Sequence, residues 1–216
     1  MLLPTKPRKS RCLAIPALVI LVTVCLFPVP GFSGTYIIYP TADAGVDSNV
    51  PDGPFGTDTS VYVVQIGFGP FYYKYAYFKF DLSSIPKGQT ITRGALYAYC
   101  NWVDGFPASC QLRAVSDTSW IESDPGGITW NNKPAYESTV IATVKGFQDS
   151  WTHWDIPAAN LPATGLVSFV LTPAYGPASP YYSYFNSREN SSNKPYLQVN
   201  TVGPMAPIIS PLLLNY

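Results

Sequence analysis

The chain has 216 residues, with 13 basic and 13 acidic side chains, a single histidine, and charged residues making up only 12% of the total. Beyond the first dozen residues the charges are scattered rather than clustered, which argues against the concentrated basic face that a nucleic-acid partner requires. One histidine excludes a histidine-built metal centre, and the 22 prolines, 16 glycines and 16 tyrosines suit an extracellular β-protein surfaced by hydroxyls and amides.

The first residues carry Lys6, Arg8, Lys9 and Arg11 and no acid, followed by an apolar run from Cys12 to Phe27 and then Pro30-Gly31-Phe32-Ser33-Gly34. A basic start, an apolar middle and small residues at Gly31 and Ser33 predict a secretory signal over residues 1–34. The alternative is an uncleaved membrane anchor, since the apolar run approaches the roughly 20 residues of a span. Lipid attachment at Cys25 fits less well, because Val24 stands where a small residue is needed. Either way the remainder is expected outside the cytoplasm, secreted or attached to the cell surface. Without the leader it carries 9 basic against 13 acidic residues.

From there short β-branched and aromatic runs recur between Gly, Pro, Asn and Asp. They are residues 36–39, 61–66, 72–80, 95–100, 111–115, 139–144, 151–156, 166–171, 181–185 and 196–201. No long helix-period stretch follows the leader. This spacing predicts an all-β fold, an antiparallel sandwich or barrel, and the alternation in several runs favours a β-sandwich of jelly-roll type, as one domain over residues 35–202. Residues 203–216 form a tail in which Pro204, Pro207 and Pro211 forbid a regular element. It could pack on the sandwich, insert into a neighbour or fray.

Cys100 and Cys110 remain after export, and an even count in an oxidising compartment predicts a disulfide between them. Closing so short a loop would stabilise by about 3 kcal/mol in the chain-entropy model. The alternative is two buried free thiols.

Six strings appear in an order that resembles the DNRLRE domain family. They are Pro40-Thr41-Ala42-Asp43-Ala44-Gly45-Val46-Asp47 with Phe55-Gly56-Thr57, then Tyr77-Phe78-Lys79-Phe80-Asp81-Leu82-Ser83-Ser84-Ile85-Pro86. Next come Ile91 with Leu96 and Ala98, the loop from Asp117 to Pro134 with Trp120 and Trp130, and Trp154-Asp155-Ile156. Ser187-Arg188-Glu189 before Lys194–Val199 completes the set. The family is related to the disaggregatase-type repeats of archaeal surface proteins and to alginate-type carbohydrate-binding modules. The resemblance implies a secreted, non-catalytic sandwich that binds or builds an extracellular polymer. The Tyr-rich stretch before Tyr77, the Cys pair and the tail depart from it. Within this frame Phe78 and Phe80 fill the core, Trp120 and Trp130 cap a sheet end, and Asn131 and Asn132 tie the turn. Arg188-Glu189 makes an ion pair or bonds loop carbonyls.

Period two over residues 72–80 puts Ala76, Phe78 and Phe80 on one face and Tyr73, Tyr75, Tyr77 and Lys79 on the other. If the first face is core, the second is a tyrosine stripe ending in a cation, suited to stacking on sugar rings. Tyr97 and Tyr99 on the next strand extend it, and Trp102 and Tyr181-Tyr182 are further candidates. The competing reading puts these tyrosines beneath a loop or the second sheet.

Catalysis has little to work with. His153 alternates with core positions as an exposed strand residue would, and the acids Asp117, Glu122 and Asp124, which could serve a glycosidase, lie in a loop the family uses structurally. Asp43, Asp47, Asp52 and Asp58 could offer oxygen ligands to a structural calcium ion, but without EF-hand spacing, so no cofactor or metal ligand is assigned. Asn190-Ser191-Ser192 is a glycosylation sequon. The expected function is therefore polysaccharide binding. The competing class is a structural or adhesive surface subunit, self-associating through the tail at an exposed sheet edge.

Overall fold

The computed structural model describes residues 33–66, 71–123, 125–174 and 181–204. The expectations for the leader up to residue 32, for Asp124 and for the tail from residue 205 lie outside the described residues.

The strands run in the order β1 (Ser33–Ile38), β2 (Ala42–Asp47), β3 (Ser60–Ile66), β4 (Tyr72–Asp81), β5 (Thr90–Trp102) and β6 (Ser109–Val115). There follow β7 (Ala142–Lys145), β8 (Ser150–Pro157), β9 (Leu166–Pro173), β10 (Tyr181–Asn186) and β11 (Tyr196–Val202). Every pairing between these strands is antiparallel. The sheet path is β1-β11-β5-β10-β3-β4-β9-β6-β7, with β2 added to β4 and β8 added to β5. It curls so that its two halves face each other across a core. The all-β sandwich expected from the spacing is thus present, and its strands sit where the β-branched and aromatic runs placed them, except that β2 lies outside those runs and the run over residues 139–144 is strand only from Ala142.

Alternation explains the core. β5 sends Leu96, Ala98 and Cys100 inward, β8 sends Trp154 and Ile156, and β11 sends Leu197 and Val199. They meet Ala76, Phe78 and Phe80 of β4, Leu112 of β6 and Phe169 and Leu171 of β9. Trp154 meets its polar need by donating Nε1–H to the Cys110 carbonyl at 3.0 Å. The string from Phe80 to Pro86 is a strand exit with its own cap. Asp81 Oδ1 accepts from the Ser83 N–H at 2.9 Å, while Leu82 and Ile85 are buried on either side of the turn.

The expected disulfide is not formed. Cys100 and Cys110 are free, buried thiols on strands that do not pair with each other. Each turns to a carbonyl of its own chain segment, Cys100 Sγ to Trp102 O at 3.6 Å and Cys110 Sγ to Ala108 O at 3.4 Å.

A second apolar cluster lies on the opposite side of β4 and β9. Ala44 and Val46 of β2, Tyr75 and Tyr77 of β4 and Val170 of β9 pack there against Trp120 and Ile128, with Trp130 and Tyr136 alongside. The segment joining β6 to β7 therefore lies over the outer face of this half-sheet rather than capping its end. Trp120 Nε1–H donates to Ser168 Oγ at 2.9 Å. Within the segment, Asn132 Oδ1 accepts from the Thr129 N–H at 2.6 Å and so ties the turn, whereas Asn131 donates to Asp52 Oδ1 at 2.8 Å and ties the segment to the β2–β3 loop instead.

Candidate functional site

Period two sorted the faces of β4 correctly, but the tyrosine face is not open. Tyr77 is 0% exposed and donates its hydroxyl to the Pro134 carbonyl at 2.9 Å. Burial pushes its phenol well above the ordinary value. Tyr75 is also buried, with its ring 5.0 Å from Trp130. Tyr73 is half-buried and stacked between Phe71 and Trp130. Lys79 donates to the carbonyls of Thr118 and Trp120 and lies 4.5 Å over the Trp120 ring. Burial lowers its pKa, with Glu122 and Asp117 opposing. Tyr75 and Tyr77 are thus core residues that offer no ring face to a ligand.

The other half-sheet does present aromatic faces to solvent. β8 is exposed at Trp151, His153 and Asp155 and buried at Thr152, Trp154 and Ile156. Its register sets Trp151 beside Tyr99, His153 beside Tyr97 and Asp155 beside Ala95. On the far side of β5, Tyr196 of β11 pairs with Tyr97 and Gln198 with Ala95. Tyr97 is consequently stacked between two rings, His153 at 5.2 Å and Tyr196 at 4.8 Å, with interplanar angles of 20° and 10°. Trp151, 42% exposed, leans on both Tyr99 and Tyr196. Trp102, 44% exposed, stands at the end of β5 against Tyr184 at 4.7 Å.

Two clefts flank this stack. The larger, about 530 Å³, is bounded by Tyr39, Trp151 and Tyr196 and by Arg188 and Lys194 of the β10–β11 connection. The smaller, about 300 Å³, lies between Arg93, Asp155, His153, Gln198 and Asn200. With its amide oxygen turned toward Arg93, Asn200 accepts from Arg93 Nε at 2.8 Å, which holds the guanidinium at the cleft edge. From Arg93 to Tyr99 the face is about 20 Å long at the rise of an extended strand. Aromatic faces beside amide and charged groups are what a wet sugar-binding surface needs.

Of the residues singled out in the sequence, Tyr97 and Tyr99 come together here, with Trp102 further along β5. Tyr39, Trp151, His153, Arg188, Lys194 and Tyr196 were not assigned to such a face. The alternation of Trp151, His153 and Asp155 was visible, but its pairing with Tyr97 and Tyr99 depends on strand order. The acids considered for hydrolysis are engaged elsewhere. Asp117 accepts from Ser119 N at 2.8 Å, and Glu122 accepts from Asp43 N and Arg188 Nη1, both at 2.7 Å. The four aspartates considered for calcium do not gather. Asp47 pairs with Lys74 at 2.9 Å and Asp52 holds Asn131.

An antiparallel sandwich with an open, aromatic strand face suits the class of carbohydrate-binding modules. The sequence model of carbohydrate-binding module family 96 matches residues 35–201, and the chain belongs to that family. It is also similar to a gellan lyase from Bacillus sp, 30% identical over 132 residues. That stretch is 58% of this chain and 5% of the lyase, so the chain spans a small fraction of that relative's length. No helix among the described residues is long and apolar enough to cross a membrane.

Proposed function

We propose that the chain is a secreted, non-catalytic module that binds an extracellular or cell-surface polysaccharide along the outer face of β8, β5 and β11. The observation that carries this reading is that beside the Tyr97 stack, whose ring faces His153 and Tyr196 cover, the rings of Trp151 and Tyr39 stand exposed. Sugar rings bring apolar C–H faces to such rings and hydroxyls to flanking Gln198, Asn200 and Asp155. The leader supports export, and the resemblance to DNRLRE domains points to the same location. The name of the lyase relative makes gellan the first polymer to test. Arg93 and Lys194 around the clefts supply cations for any carboxylates on the polymer.

The test is affinity electrophoresis through gels containing gellan, other acidic polysaccharides or neutral ones. Retardation by at least one polymer is expected, with Trp151→Ala/Tyr196→Ala migrating freely while keeping the parent circular dichroism. Undiminished retardation of that folded double variant would remove this face as the binding surface. Free migration of the parent protein in every gel would overturn the reading itself.

A further inference from the structure

Around Arg188, which also borders the larger cleft, acids from three separate segments converge. Asp43 on β2, Glu122 in the β6–β7 segment and Glu189 after β10 each bring a carboxylate oxygen to within 4.8 Å of the others. Asp43 is 1% exposed. Its Oδ2 accepts from the Arg188 N–H at 2.7 Å, whereas its Oδ1 is buried with no hydrogen-bond partner among the described residues. Glu189 Oε2 is likewise buried and unpartnered. The Arg188 guanidinium is committed to Glu122 Oε2 at 2.7 Å and lies 3.7 Å from Glu189 Oε1. Among the described residues these three carboxylates thus have one cation in direct contact, Arg188, while Lys79 attracts Glu122 without an ion-pair contact, so negative charge is in excess when all three are ionised.

That imbalance is costly in a buried setting. Burial pushes the Asp43 carboxyl well above its usual range, opposed by the Arg188 N–H and reinforced by Glu189 and Glu122. Sulfur and imidazole are absent from the set, so the donors are all hard oxygens. Calcium takes six to eight such ligands in irregular geometry, often with carbonyls and water completing the shell. The geometry points to a calcium site built by Asp43, Glu122 and Glu189, with Asp43 Oδ1 and Glu189 Oε2 as its open ligand atoms. The approach of Glu122 depends on Gly56, where an added Cβ would lie 1.9 Å from the Glu122 carbonyl oxygen. A cation here ties β2, the β6–β7 segment and the β10–β11 connection together, and that connection carries Arg188 and Lys194 of the larger cleft.

The experiment is calorimetric titration of the chelator-stripped, full-length chain with calcium chloride, paired with thermal unfolding. One binding site and a rise of several degrees in Tm are expected. Glu189→Gln, which keeps the side chain's size, should weaken calcium affinity at least tenfold and lose the Tm rise; Asp43→Asn should do the same. No heat and no Tm shift in the parent protein at about 1 mM calcium, the weak end for extracellular modules, would overturn the site. So would parent-like affinity in either folded variant. Because calcium alone is the probe, the result does not depend on whether polysaccharide binds.

Discussion

The two cysteines show what a single position can decide. An oxidising compartment makes a bridge reasonable, but Cys100 and Cys110 sit in the main core among apolar residues, each with its own carbonyl. Packing around Cys100 is close: a Cβ added at Gly146 would stand 3.3 Å from its sulfur. Burial pushes the Cys100 thiol up to about 11 and that of Cys110 well above its ordinary value, with the neighbouring thiol adding to it. A raised folded pKa means these thiols favour the folded state while neutral. That contribution is complete below the ordinary thiol value of 9.0 and is lost as pH rises toward about 11. At pH 8, therefore, neither residue should be alkylated in the native protein. After unfolding without reductant both should be, as peptide mapping by mass spectrometry would show. A Cys100–Cys110 peptide cross-link recovered instead would establish the bridge.

At the scale of elements, period-two alternation reveals the side of each strand residue but not what lies over that side. Ala76, Phe78 and Phe80 face the core as their spacing required, and Tyr73, Tyr75 and Tyr77 share the other face of β4. That face is covered because the β6–β7 segment carries Trp120, Ile128, Trp130 and Tyr136, which need an apolar surface of their own. Two tryptophans in one loop were the available hint. The β5 face with Tyr97 and Tyr99 is open, yet its alternation looks the same in the sequence. Only strand order distinguishes them, and long-range pairing is not written in local periodicity. The acid cluster was hidden for the same reason, since Asp43, Glu122 and Glu189 come from distant segments. Trp120→Ala should cost about 3–5 kcal/mol by removing a buried indole and the Nε1–H bond to Ser168. Urea unfolding measures that loss. Retardation by polysaccharide should survive it, because the open face lies on the other half-sheet. A stable Trp120→Ala protein that no longer binds would transfer the site to the β6–β7 segment.

Across the whole molecule, the two clusters make β4 and β9 the inner layer. From Val167 to Pro173 every residue of β9 is buried, and β4 is buried from Tyr75 to Phe78 and again at Phe80. Their two faces serve different clusters, so opening either strand disrupts both. β1 and β7, at the two ends of the sheet path, alternate between exposed and partly buried positions, apart from buried Ile38 at the end of β1, and pair on one side only. Local opening should therefore begin at the edges, with β4 and β9 releasing only on global unfolding. Hydrogen exchange followed residue by residue should find the slowest amides at Tyr75–Phe80 and Val167–Thr172, and much faster exchange in Ala142–Lys145. The strands proposed for binding, β8, β5 and β11, stand between these extremes, with one face in the core and one in solvent. Polysaccharide should accordingly slow exchange in β8, β5 and β11 while leaving the already protected β4 and β9 unchanged. Ligand-induced protection confined to β4 and its covering segment would contradict this division between a stabilising half-sheet and a binding one.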